Sequence, residues 1–410
     1  MKLNVAAVRA CYPALADGYA YLDGAAGTQV PHTVIEAIGH AQAAGLGNSG
    51  GAFPASQRAD EITAACRAAV AALTGGQPDG VVLGPNMTTL TYRLAGALAK
   101  KWKSGDEIVV SRLDHDANVR PWVQAAGHAG VTVRWAAVDP DTGELPADQY
   151  RDLITERTRL VAVTAASNVI GTCPDVPAIA RLAHAAGALT YVDGVHATPH
   201  GPIDVHELGA DFYATSAYKW SGPHVGAVIA DPELLAGLYP DKLKPSPDGV
   251  PDRFELGTPP YASMAGVTAA VQHLASLTEL ELPGPSGISD PASLRDRVLA
   301  SMTAVRQHEQ ELFEVLAAGL DSMAHVRTYG RAAVRTATAF FTVAGRTPRQ
   351  VAEHLASRGV NVWNGHNYAW ELTGVLGIRD SGSAVRAGLV HYNDSTDVER
   401  LLAGVAELAS

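Results

Sequence analysis

The chain has 410 residues, 47% hydrophobic and 18% charged, a length and balance suited to a soluble globular protein with one large and one smaller domain. With 31 basic and 42 acidic residues the formal charge is −11, and no Lys/Arg cluster offers to neutralise a run of phosphates, which argues against a nucleic-acid partner. No apolar run approaches the ~18 residues of a membrane span. Arg9 interrupts the apolar N-terminal stretch where a signal peptide needs its core. Cys11, Cys66 and Cys173 are widely spaced and form no CxxC, which excludes a disulfide framework and a cysteine-rich zinc site. The expectation is a reduced, cytoplasmic protein.

In chain order, 56–73 reads as the first helix. Ile62, Cys66, Val70 and Leu73 recur on one face, Gly75 and Gly76 end it, and Cys66 becomes a core residue. The short run 81–83 leads through Pro85-Asn86-Met87-Thr88-Thr89 into a helical 90–100. Apolar runs follow at 107–111, 131–135, 160–165, 188–192, 211–214 and 225–230, with helical segments such as 176–186 between them. This alternation predicts an α/β fold with a mostly parallel sheet covered on both faces. The Pro/Gly/Ser-rich stretch 282–294 reads as a linker, 295–319 as a long amphipathic helix, and 337–343 and 383–391 as strands of a smaller α+β unit. The expected division is a large domain over 15–280, with 1–14 and 281–410 forming the small one.

In open α/β sheets the site lies at the carboxyl ends of the strands. Four such ends are polar: Asp114-His115-Asp116-Ala117-Asn118, Ser167-Asn168, Asp193-Gly194-Val195-His196, and Thr215-Ser216-Ala217-Tyr218-Lys219. Singly, each has a plain explanation. Asp193 caps a helix, His115 is a core histidine, Lys219 is a turn lysine, and Asn168 and Ser216 are turn residues. Jointly they set an acid, a base, hydrogen-bond donors and an amine along one edge. Pyridoxal phosphate (PLP) chemistry suits that set. A lysine of lowered pKa forms a Schiff base with the aldehyde, and a carboxylate keeps the pyridine nitrogen protonated. The phosphate needs N–H groups, hydroxyls and a helix N-terminus, which 85–89 offers, and His115 offers a ring to stack on the pyridine. Adjacent Asp114, His115 and Asp116 on one loop rarely converge on one ion, so no metal site is expected. No GxGxxG opens the first βα unit, which weakens a nicotinamide site.

From Tyr21-Leu22-Asp23-Gly24-Ala25-Ala26 to Arg386-Ala387-Gly388-Leu389-Val390-His391-Tyr392-Asn393, the chain resembles the class V aminotransferase group of fold-type I PLP enzymes, especially cysteine desulfurase-like proteins. The resemblance implies that fold, with a mostly parallel central sheet in a large domain beside a smaller α+β domain. It makes Lys219 the internal aldimine lysine and Asp193 the partner of the pyridine nitrogen. His196 would lie near the phenolic oxygen, and Asn168 would face that oxygen or the substrate. His115, opening a segment like the family's His-x-Ala-Asn-x-x-Pro-Trp, would stack on the ring. The backbone around Met87, with Thr88 and Ser216, would hold the phosphate. Tyr218, standing where the family commonly has histidine, would reach it too. Gly257 and Thr258 would cross to a second subunit's phosphate, implying a homodimer with shared active sites. Arg386 would clamp the substrate α-carboxylate.

Two departures shape the expected activity. Tyr368 occupies the place of the desulfurase cysteine in Asn364-Gly365-His366-Asn367-Tyr368-Ala369, and Trp363 stands where desulfurases often have a second arginine. A phenol forms no persulfide. Cys173, near Ser167-Asn168, reads as a helix-start packing residue, with a thiol of lowered pKa as the rival reading. The expectation is an enzyme working on an amino acid through an external aldimine and a carbanion. A C–S lyase of the β-elimination type is expected rather than a true desulfurase, with Tyr368 or His366 protonating the leaving group. Alternatives are an aminotransferase or epimerase on the same scaffold, or a non-catalytic binding partner.

Overall fold

The computed structural model describes residues 3–280 and 294–409. The linker expected at 282–294 lies outside the described residues, except for Leu294, which begins a helix. Most strands are runs whose residues are buried on both faces. In chain order they are β1 (Ala20–Tyr21), β2 (Val81–Gly84), β3 (Glu107–Ser111), β4 (Thr132–Ala136), β5 (Thr158–Thr164), β6 (Leu189–Asp193), β7 (Phe212–Ser216) and β8 (Gly226–Ala230). Strands β2 to β8 form one seven-stranded sheet in the order β2-β8-β7-β6-β5-β3-β4. All pairings from β7 across to β4 are parallel, whereas β8 runs antiparallel to both of its neighbours. The reason is length: the connection between β7 and β8 is shorter than the dozen or so residues a parallel crossover requires.

Side-chain alternation divides the sheet between two cores. Val109, Val161 and Val163 pack into one cluster, and Ile108, Val110, Leu160 and Ala162 into the other. Each such buried Val, Ile or Leu side chain contributes about 1.5–3 kcal/mol. The helix Pro54–Thr74 buries Cys66, Val70 and Leu73 and ends on Gly75, as the spacing predicts.

The remaining strands are β9 (Val326–Tyr329), β10 (Thr338–Val343), β11 (Val360–Asn361), β12 (Trp363–Gly365) and β13 (Ala384–Gly388). An antiparallel sheet runs β12-β13-β10-β9, while β11 pairs in parallel with β1. The strand expected over 383–391 ends at Gly388, beyond which the chain turns. The helix Leu294–Asp321 joins the two units: Val298, Met302 and Val305 enter a large-sheet core, and Phe313, Leu316 and Leu320 enter the small-unit core. Among the described residues no helix is long and apolar enough to cross a membrane.

Parallel pairing aligns the carboxyl ends of the central strands. Thr164 is in register with Asp193, and Asp193 with Ala214. Asp193 is thus the last residue of β6 rather than a helix cap, and Ser216 ends β7 rather than following it. Opposite Ser216 lies Gly226, where a Cβ would come within 2.6 Å of the Met87 nitrogen. Only glycine lets the helix Met87–Ala99 start this close to the strand ends.

Candidate active site

These strand ends open into a pocket lined by Met87, Thr88, His115, Asn168, Asp193, His196, Ser216, Tyr218 and Lys219. Nine sequence-predicted residues therefore meet at one place. Lys219 closes the short turn Ala217–Lys219 after β7. Thr28 pins that turn: its N–H donates to the Tyr218 carbonyl (2.9 Å), and its Oγ1 accepts from the Ser221 N–H (2.6 Å). Ser221 takes the left-handed φ of 68° that the turn needs. The Lys219 side chain is 7% exposed and donates through Nζ to the Ala25 carbonyl. Burial pushes its ammonium down to about 7, helped by the charge of Arg386 and opposed by Asp193. Burial likewise lifts the Asp193 carboxyl to about 6, against the opposing pull of the Val195 N–H (3.0 Å) and of Lys219.

His115 hangs from β3 by a loop with its own buried anchor. Asp114 accepts from the Ser111 hydroxyl and from Asn118 Nδ2 (2.6 Å), and Asn118 Oδ1 accepts from Trp122 Nε1 (2.9 Å). Burial raises the Asp114 carboxyl to about 8. Among the described residues no three His, Cys, Asp or Glu side chains gather as metal ligands. His115 Nδ1 accepts from the Ala117 N–H (3.0 Å). Burial, then Lys219, Arg386 and His366, hold the imidazole down to about 3, so the ring is neutral.

At the third wall, Asn86 caps the helix Met87–Ala99, its Oδ1 accepting from the Thr89 N–H at 2.9 Å. The Met87 N–H donates to Ser216 Oγ (3.0 Å). Tyr218 stacks on His224 with ring centroids 5.0 Å apart. Two buried polar atoms of the lining, Asn168 Oδ1 and His196 Nδ1, have no hydrogen-bond partner among the described residues.

Other predicted residues lie around the pocket. Arg386, on β13, is buried and donates through Nη1 to the Asn168 carbonyl (2.8 Å). Beside it, burial raises the Asp23 carboxyl to about 6, with the backbone and Arg386 opposing. Tyr368 is 66% exposed, its ring stacked on His115 at 5.3 Å. Its carbonyl accepts from the Asp116 N–H (2.8 Å), and its own N–H donates to His366 Nδ1 (3.0 Å). Asn168 Nδ2 donates to the Asn367 carbonyl at 2.8 Å, and Glu371 pairs with Arg112 and Arg120. The segment 366–371 is thus tied across the mouth. Gly257 and Thr258 do not join the pocket; both lie on an exposed loop. No cysteine lines it either, and burial pushes the Cys173 thiol up to about 11. The rival reading of Cys173 as an activated thiol therefore fails, and the helix-start reading is corrected with it: Asp175 caps the helix Val176–Ala185, and Cys173 lies outside it.

Sequence reasoning missed the Ala25 carbonyl, the Thr28 brace and the Arg112–Glu371–Arg120 tie. The first two fall within or beside the motif 21–26, whose position signalled a role without naming one. Only the folded chain brings Glu371 to the His115 loop.

Across 20–281 and 297–401 the chain matches the class V aminotransferase family. It belongs to that family. An uncharacterized protein of Mycobacterium tuberculosis is 35% identical over 409 residues, covering 100% of both chains. An aminotransferase-like protein of Gibberella zeae is 32% identical, covering 98% of this chain and 97% of its own. Among solved structures, a cysteine desulfurase from Escherichia coli is 28% identical, with a TM-score of 0.84 over 100% of this chain and 99% of that one. The mostly parallel sheet and attached smaller sheet are accordingly the fold of a cysteine desulfurase-like enzyme of the class V aminotransferase family. In this class V enzyme, an aromatic residue, Tyr368, covers His115 at the mouth.

Proposed function

We propose that this class V enzyme uses PLP to act on an amino acid, and that it cleaves a C–S or similar β bond by elimination. The observation that carries the reading is the buried Lys219 amine, held near 7, sharing one pocket with the Asp193 carboxylate and the capped start of the helix Met87–Ala99. The donor set fits the cofactor on two further counts. The unpartnered Asn168 Oδ1 and His196 Nδ1 await polar partners, and Gly226 keeps the helix start free of a Cβ. When bound, PLP supplies an aldehyde that captures amines and a protonated ring that withdraws electrons.

The chain's residues divide the remaining work. Lys219, partly neutral at pH 7, is the nucleophilic amine and the base that moves a proton from the substrate α-carbon. Asp193 would pair with the ring nitrogen and keep it protonated. His115 would offer its ring to the cofactor ring, and Asn168 and His196 would serve the phenolic oxygen. Ser216, Thr88, Tyr218 and the N–H groups following Met87 would hold the phosphate. Arg386 grips the α-carboxylate with a planar fork. Tyr368 or His366, at the mouth, returns a proton to the leaving group. Gly257 and Thr258 would serve the second subunit of a homodimer; 15–280 would form the cofactor-binding domain and 1–14 with 281–410 the small one. The packing crosses that boundary at Val8 and Tyr12, which join the large-sheet core, and at Ala20 and Leu22, which join the small-unit core. The absence of any cysteine from the pocket lining favours elimination over persulfide formation.

Protein loaded with PLP turns yellow and releases pyruvate from cysteine, cystine or S-alkyl cysteine sulfoxides. A coloured protein that yields no pyruvate from any of them contradicts the lyase reading. A second reading, transamination, draws on the aminotransferase-like relative. Formation of pyridoxamine phosphate from an amino donor selects it, and solvent-deuterium incorporation with inverted product selects epimerisation.

A further inference from the structure

Against the His196 ring lies a buried pair that the proposed chemistry does not use. Glu309 stands midway along the helix Leu294–Asp321, and His200 closes the turn Thr198–His200, one helical turn past His196. Glu309 Oε2 is 2.6 Å from His200 Nδ1, and both side chains are 3% exposed. The His200 ring meets the His196 ring edge to face, centroids 4.7 Å apart at 67°. On another flank, His196 Nε2 lies 3.0 Å from Thr338 Oγ1 and 3.2 Å from Thr336 Oγ1. Only Nδ1 of His196 is left without a partner, and this ring lines the pocket.

Packing alone gives no reason for a carboxylate and an imidazole here, because apolar residues of similar volume are often as stabilising as a buried ion pair. The pair leaves Glu309 Oε1 and His200 Nε2 unpartnered as well, which adds to its cost. What it does supply is orientation. A carboxylate on Nδ1 fixes which imidazole nitrogen carries the proton and the plane in which the ring lies.

We propose that Glu309 and His200 are positioning residues for His196: the carboxylate locks the His200 ring, that ring and the two threonines lock His196, and Nδ1 of His196 is thereby held toward the pocket. This rests on the reading of His196 as the partner of the PLP phenolic oxygen. The long helix that carries the small-unit core would then help to set the geometry of the cofactor pocket.

Two readouts test it, one of which needs no cofactor. In apoprotein labelled with 15N-histidine, Glu309→Gln moves the His196 resonances as well as those of His200. In PLP-loaded protein the same variant shifts the visible band in the direction that His196→Ala shifts it, and lowers kcat roughly tenfold with KM unchanged, the scale of lost outer-shell support. Combining Glu309→Gln with His196→Ala costs no more than His196→Ala alone, since the pair acts through that ring. Should Glu309→Gln fail to fold, the paired replacement His200→Leu with Glu309→Leu removes the charge and the orphaned atoms together, and is expected to fold and show the same band shift. Unmoved His196 resonances with an unmoved band, or losses that multiply in the double variant, overturn the proposal. Protein that binds no PLP yet shows the coupled resonances defeats the cofactor reading while leaving the positioning pair standing.

Discussion

The floor of the pocket and its mouth are built on different physics. The floor gathers Lys219, Asp193 and His196, all nearly buried, on aligned ends of parallel strands, and burial is the leading cause of the pKa shift of each. The mouth is a loop of left-handed residues, Asn367 (φ 47°) and Tyr368 (φ 59°), with Tyr368 and Trp363 exposed at 66% and 51%. The floor is enclosed by strand ends and would fix which chemistry can run. The mouth, tied to the His115 loop and to Asn168, is more exposed, and in the proposed reaction it would meet what the substrate carries beyond its α-carbon. Substitutions should therefore cut reaction rate at the floor and alter substrate choice at the mouth.

The largest effect is expected at Lys219. Lys219→Ala removes both nucleophile and base, and turnover should fall by about 10⁴-fold while the circular dichroism spectrum stays unchanged. Asp193→Ala comes next, with about 10³-fold lower kcat and weaker PLP retention in a dialysis assay; full activity in that variant breaks the assignment. Arg386→Ala should raise KM for substrates bearing an α-carboxylate about 10–100-fold, the scale of a lost charged hydrogen bond. An unchanged KM removes Arg386 from substrate binding. At the mouth, Tyr368→Ala should change the unfolding free energy by no more than about 0.5 kcal/mol, the range of a surface change, while reordering kcat/KM among S-substituted cysteines.

The last effect concerns pH and is read on stability rather than on turnover. Folded apoprotein holds the Lys219 proton less tightly than the unfolded chain, since the folded value is near 7 and the ordinary lysine value is 10.5. Over that window the unfolded state binds more protons, so this group's contribution to stability rises with pH from about 7 toward 10.5. Lys219→Met should flatten that part of the stability profile relative to the parent. Parallel profiles would place the amine in solvent.

The contrast also explains what could be read from the sequence. Strand β3 was legible to the residue, and β5 to β8 within two residues, because runs buried on both faces are continuous in sequence. The acid, amide, histidine and lysine at their ends were legible because parallel topology sends strand ends to one edge. Strands β9 and β12 were not: they are short, carry Arg327 and Asn364, and are paired by tertiary contacts rather than by a periodic pattern. The Ala25 carbonyl that receives Lys219 is backbone and has no side-chain signature. Cys173 was open to two readings in sequence, and neither stands as made: burial raises its thiol, and it precedes the cap of the helix.

In the proposed reaction everything turns on the Lys219 amine capturing the PLP aldehyde. The direct measurement is the peptide mass map of protein incubated with PLP and then reduced with borohydride. A single added phosphopyridoxyl mass is expected on the peptide containing Lys219 and none on the exposed Lys100, Lys101 or Lys244. Label spread over those surface lysines, with the Lys219 peptide unmodified, would contradict it.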